Sequence, residues 1–231
     1  MIRYYEMYDA LVREVWRNHQ DAGAVGGGHD FPHALMVAQY AQKVAEGERF
    51  PEVIARLGWL AGIVHNTDRL YSSLDDQKMR DLIIKTLSDF TGGLSAERIS
   101  IVADAVLVHS LWELPKNFGG HRRKVAVLLR DADKLASING LLPLRSAQNY
   151  HNLPVYDVVW GLDDPEATYR NPKTVARDIQ YSLEWQQPGW IVTETARKLA
   201  EPGFKALEGI LADMERPFRE TGLNPWPLPY H

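Results

Sequence analysis

The chain has no cysteine, which removes disulfides, thiolate nucleophiles and zinc–thiolate sites together. Any metal has to be held by His, Asp, Glu, Asn or water. No stretch approaches the ~18 consecutive apolar residues of a membrane-spanning helix. The opening residues, Met1-Ile2-Arg3-Tyr4-Tyr5-Glu6, lack the apolar core of a secretory signal. A cytoplasmic location without a membrane partner is the expectation. Excess positive charge is missing too: 26 Lys and Arg against 30 Asp and Glu give a formal net charge of −4. That balance excludes a broad grip on extended nucleic acid and leaves a local basic pocket for one phosphorylated molecule. There is no internal repeat, low-complexity tract or strand-like alternation of any length. Gly26-Gly27-Gly28 has neither a preceding strand nor a following Gly-Lys-Ser/Thr, so it reads as a flexible turn rather than a phosphate loop.

What the chain does have is helical periodicity, with 45% hydrophobic residues to fill a core. Leu11, Val12, Val15 and Trp16 mark a first helix, broken by the glycine-rich 23–28 stretch. Val37, Tyr40, Ala41 and Val44 mark a second. Pro51 opens a third, at a position where its missing N–H costs little, with Val53, Ile54, Leu57, Leu60, Ala61 and Val64 on its face. Residues 75–90 form a more polar helix. Ser95 precedes another stripe at Ile99, Val102, Ala103 and Val106, and 125–135 is a further apolar helix. From 140 to 171 the periodicity fades into an irregular excursion, as in functional or lid-like loops. Two helices follow, 172–187 and 189–216, the second open to interruption at Pro202-Gly203. The proline-rich end, Asn224 to Pro229, is extended. The expected architecture is all-α, one helical-bundle domain over 1–231, with its core in about 1–140 and the helices of 172–216 packed on it.

Several polar residues interrupt the apolar stripes. His33 lies four before Val37; His65 lies four after Ala61 and eight after Leu57; His109 lies three after Val106; Asp133 lies four after Leu129 and eight after Val125. A buried carboxylate is costly unless it is paired or binds a metal, which is the physical reason for grouping the four. Taken singly, each histidine reads equally as a hydrogen-bonded core residue, and Asp133 as the partner of a neighbouring base.

Together, and in this order, they resemble the HD-domain superfamily of metal-dependent phosphohydrolases. His29-Asp30-Phe31-Pro32-His33, with Val37 and Ala41 after it, is similar to that family's opening helix. Leu60 to His65-Asn66 resembles its small-apolar run ending in His-Asp. Val106-Leu107-Val108-His109-Ser110 and Asp131-Ala132-Asp133-Lys134-Leu135 resemble two further segments of a bacterial branch. The resemblance implies His33, His65, Asn66 and Asp133 as metal ligands, with the second Asp of Asp131-Ala132-Asp133 as the one that binds. It implies His109 as a further ligand or phosphate contact, and Asp30 as a residue orienting a ligand histidine. Asp68 is a candidate base, or simply a helix-terminus residue. Lys134, Arg69, Arg122 and Arg123 are candidates for the substrate phosphate, or solvated surface charges. The donor set suits a divalent ion: Mn, Fe, Co, Ni, Zn or Mg. Such an ion would activate water for attack on a phosphate ester or anhydride.

Three departures from the pattern stand out. Asn66 replaces the Asp of the pair and removes one negative charge from the ligand set. Met36 stands where the branch has Arg, and Ala136 where it has a second Asp. The leading expectation is a phosphohydrolase acting on a nucleotide or other small phosphorylated molecule. A non-catalytic binding module of the same fold is the alternative, with an HD-fold di-iron oxygenase behind it. A homodimer is left open. Trp112, Tyr150 and Tyr156 are candidates for stacking on a base, with core packing as the other reading of each. His19, His121, His151 and His231 carry no motif.

Overall fold

The computed structural model describes residues 3–22, 30–71, 74–111, 113–157 and 159–223, except for the side chain of Asp68. The glycine run at 23–28, His29, Trp112 and the end of the chain from 224 lie outside the described residues.

Helices follow one another with short connections. They are α1 (Tyr4–Met7), α2 (Asp9–Asp21), α3 (Phe31–Gly47), α4 (Glu52–Val64), α5 (Thr67–Leu70), α6 (Asp76–Phe90), α7 (Ala96–Val108), α8 (Gly120–Ser137), α9 (Leu142–Asn149), α10 (Val175–Leu183) and α11 (Glu194–Glu220). No strand forms among the described residues. None of the described helices is long and apolar enough to cross a membrane.

Polar residues start the helices where the sequence places them. Asp30 accepts the His33 backbone N–H at 2.8 Å, Asp75 that of Lys78 at 2.8 Å, and Thr174 that of Arg177 at 3.0 Å. Each satisfies one of the donors that the first turn leaves unpaired. Helices α3, α4, α7 and α8 pack together as the centre of the molecule, and their stripes supply most of the fully buried residues. The α3–α4 crossing is unusually close: a Cβ at Gly62 would lie 2.6 Å from the backbone of Ala38. This closeness brings the start of α3 and the end of α4, where His33 and His65 sit, against each other.

Two elements differ from the sequence expectation. The irregular stretch contains α9, whose 8 residues bury only Leu142 and Ser146, too few positions for a periodic signal. Helix α11 runs through Pro202 without a break. Pro202 and Lys198, whose carbonyl loses its intrahelical partner, are both exposed, so water can take the bond. Gly203 then lets α11 close onto the carbonyl of Ile138, where any Cβ would collide.

Candidate metal centre

His65 caps the C-terminus of α4 and His109 the C-terminus of α7. Both rings are held in the same way. Nδ1–H of His65 donates to the Gly62 carbonyl at 2.7 Å, and Nδ1–H of His109 to that of Val106 at 2.5 Å. In the neutral form of such a ring the proton sits on Nδ1 and the lone pair on Nε2. The two rings meet edge to face with centroids 5.8 Å apart, and His33 meets His65 at 5.2 Å.

Asp133 projects from α8 into this group. Its Oδ1 lies 3.0 Å from His33 Nε2 and 3.7 Å from His65 Nε2. One ligand atom from each of His33, His65 and Asp133 falls within 4.8 Å of the others. His33 donates Nε2–H to Asp133, because its Nδ1 accepts from the Arg145 guanidinium at 3.2 Å. His65 cannot donate likewise. Its Nε2 is buried and has no hydrogen-bond partner, so a nitrogen lone pair faces a carboxylate oxygen with no proton between them. Burial, reinforced by His33 and His109 and opposed by Asp133, pushes the His65 imidazole down to about 3, so it is neutral at neutral pH. Burial pushes the Asp133 carboxyl up, but the hydrogen bond from His33 and the neighbouring imidazoles overcome this and hold it well below its usual range.

Asn66, 1% exposed, follows His65 in the chain. Its Nδ2 approaches His19 Nε2 at 3.4 Å and the Asp30 carbonyl at 3.3 Å, while its Oδ1 is buried without a hydrogen-bond partner. Unpaired buried acceptors are costly. The one on His65 lies 3.7 Å from a low-pKa carboxylate, an arrangement that fits a divalent cation bound by nitrogen and oxygen donors.

Other expected residues fall into place around this group. Asp30 accepts the His33 backbone N–H at the start of α3, and its Oδ1 lies 3.8 Å from Arg145 Nη2. Asp131, fully buried, faces the other way. It accepts from Val192 N at 2.9 Å, Thr193 N at 2.8 Å and Thr193 Oγ1 at 2.7 Å, anchoring the start of α11. Arg69 is exposed at the end of α5, three residues from Asn66.

Lys134 is not arranged as a phosphate contact or catalytic group. Its ammonium is buried between the indoles of Trp185 and Trp190, 5.8 and 5.6 Å from their centroids, and donates to the Arg130 carbonyl at 3.5 Å. Arg122 and Arg123 also stand away from the cluster. They lie about 15 Å along α8 from Asp133, both exposed, and Arg122 is paired with Asp104 at 3.0 Å. Tyr156 stacks on Phe218 at 4.8 Å, and Tyr150 packs against the core. The side chain of Asp68 is outside the described residues.

Three residues near the cluster carried no sequence signal. His19 was one of several unassigned histidines. Arg145 stands among Leu141, Leu142 and Leu144 in a stretch without periodicity. Tyr169, 53% exposed, is carried by the excursion; partial burial and then the charge of Asp133 push its phenol up.

No family model matches the sequence, and no curated protein matches it. Solved structures do. A Lactobacillus plantarum protein aligns over 95% of this chain and 100% of its own, at 16% identity and a TM-score of 0.62. Bacillus subtilis YpgQ, solved in complex with ADP, aligns over 94% and 100%, at 18% identity and a TM-score of 0.65. A predicted HD superfamily hydrolase from an uncultured Thermotogales bacterium aligns over 92% and 91%, at 18% identity and a TM-score of 0.54. Identities this low speak for architecture alone: the chain shares the all-α fold of these structures, one of which is the predicted HD superfamily hydrolase.

Proposed function

We propose that the chain is a metal-dependent phosphohydrolase acting on a nucleotide or another small phosphorylated molecule. The observation that carries this reading is the pair of acceptors, His65 Nε2 and Asp133 Oδ1, facing each other at 3.7 Å within a buried cluster. His33, His65 and Asp133 would hold a divalent ion, with the Asn66 amide oxygen as a neutral fourth ligand. When bound, such an ion lowers the pKa of a coordinated water and polarises a phosphate oxygen.

The residues around the cluster set what happens there. The carbonyls of Gly62 and Val106 hold the His65 and His109 rings in orientation, and burial keeps the His65 imidazole neutral. Asp133, ionised through the whole neutral range, would draw a cation to the point where its Oδ1 and the ligand atoms of His33 and His65 converge. The fold similarity to YpgQ, solved with ADP, supports a nucleotide among the substrates.

One observation favours a second reading, a binding module. Asn66 Nδ2 donates towards two acceptors, the His19 imidazole and the Asp30 carbonyl, so its surroundings suit an amide. A di-iron oxygenase ranks last, because an amide is a poor bridge between two irons.

The test is phosphate release from a nucleotide panel with added Mn²⁺, comparing the unmodified chain with His65→Gln. The hydrolase reading expects release by the former and none by the latter. Equal background rates in both, with nucleotide still bound, would replace it with the binding-module reading.

A further inference from the structure

A guanidinium from outside the helices that supply the ligands reaches a ligand histidine. Arg145, on α9, has a side chain only 12% exposed, and its Nη1 lies 3.2 Å from His33 Nδ1. The same Nη1 lies 3.2 Å from the Ala136 carbonyl, and Nη2 lies 3.8 Å from Asp30 Oδ1. These are loose contacts for a buried guanidinium. Two are to neutral acceptors, and the one carboxylate already takes the His33 backbone N–H at 2.8 Å. The contact with His33 is also incompatible with ligation. An imidazole bound to a metal through Nε2 carries its proton on Nδ1. Nδ1–H and the guanidinium N–H would then face each other, donor against donor. In the ligating state Arg145 has a donor to place, beside the cluster, in a partly dry setting.

We propose that Arg145 binds a phosphoryl oxygen of the substrate next to the ligand cluster, so that the site selects for a phosphate anion. This rests on the hydrolase reading above and deepens it. A guanidinium suits the role, since its planar fork of N–H donors matches two phosphate oxygens and its charge persists at any working pH. Two other basic residues of α8 are engaged elsewhere: Lys134 lies over the indoles of Trp185 and Trp190, and Arg122 is paired with Asp104.

The test needs no turnover. Binding of inorganic phosphate to Mn²⁺-saturated protein is measured by calorimetry for the unmodified chain, Arg145→Gln and Arg145→Lys. Melting curves in chelator identify any variant that fails to fold, and Arg145→Lys, which keeps the charge, stands in if Arg145→Gln does fail. The expected result is a loss of phosphate affinity of about tenfold or more in Arg145→Gln, a smaller loss in Arg145→Lys, and Mn²⁺ affinity within about twofold of the unmodified chain. Unchanged phosphate affinity overturns the inference and leaves the hydrolase reading standing. Equal loss of Mn²⁺ and phosphate affinity overturns it as well, by making Arg145 a positioning group for His33. Failure of the unmodified chain to bind Mn²⁺ overturns both.

Discussion

At the scale of single residues, the cluster is defined by where protons sit. His65 and His109 each donate to a carbonyl three residues back, and His65, kept neutral by burial, presents a bare Nε2. This has a consequence for acid stability in the absence of metal. The folded His65 titrates near 3 rather than 6.5. Between those values the unfolded chain binds more protons, so stability falls as pH drops through that window. His19, pushed down chiefly by burial, acts in the same direction, and Asp133 adds a loss below its usual range. Melting in chelator from pH 7 to pH 4 is expected to show a clear decline, shallower in His65→Gln. Parallel curves would refute the assignment.

Asn66→Asp moves two quantities in opposite directions. The carboxylate restores the missing negative charge, and Mn²⁺ affinity is expected to rise about tenfold or more, an electrostatic gain of roughly 1.4 kcal/mol. Without metal, it would face the Asp30 carbonyl and the His19 lone pair in place of the donor they now have. A cost of about 1–3 kcal/mol is expected in chelator. Paired calorimetry and denaturant titration check both. His33, His65 and Asp133 stand out in sequence because each is a polar residue on an apolar stripe, whereas Asn66 is reached only through the family resemblance. Arg145 was not, because nothing in the chain between 140 and 171 reports which way a side chain turns.

At the scale of elements, the close crossing of α3 and α4 aligns His33 with His65. Gly62→Ala would drive a methyl group against the Ala38 backbone at 2.6 Å. The helices must part, at a cost of about 1–3 kcal/mol, and the two rings part with them. Lower melting temperature together with weaker Mn²⁺ binding is the expected pair of results; lower stability with unchanged binding would uncouple the crossing from the site. The central helices were readable from their stripes and polar caps. The continuity of α11 was not, because exposure of the carbonyl freed by Pro202 is a tertiary fact. The seat of Lys134 between two indoles, fifty residues away in sequence, is another.

At the scale of the whole molecule, the C-terminal helices are tied to the centre by polar anchors. Asp131 receives three donors from Val192 and Thr193, and Glu48 receives the Thr195 N–H at 2.7 Å. Gly203 seats α11 on Ile138. One cooperative unfolding transition is therefore expected, with backbone and tryptophan signals coincident; separated transitions would place the C-terminal helices in a unit of their own.

The claim on which the rest depends is that this cluster binds a divalent ion. Its most direct measurement is equilibrium dialysis against Mn²⁺ with elemental analysis, for the unmodified chain and His65→Gln side by side. The account predicts near-stoichiometric metal in the first and a loss of most of it in the second. Metal at the same level in both, or in neither, would contradict it.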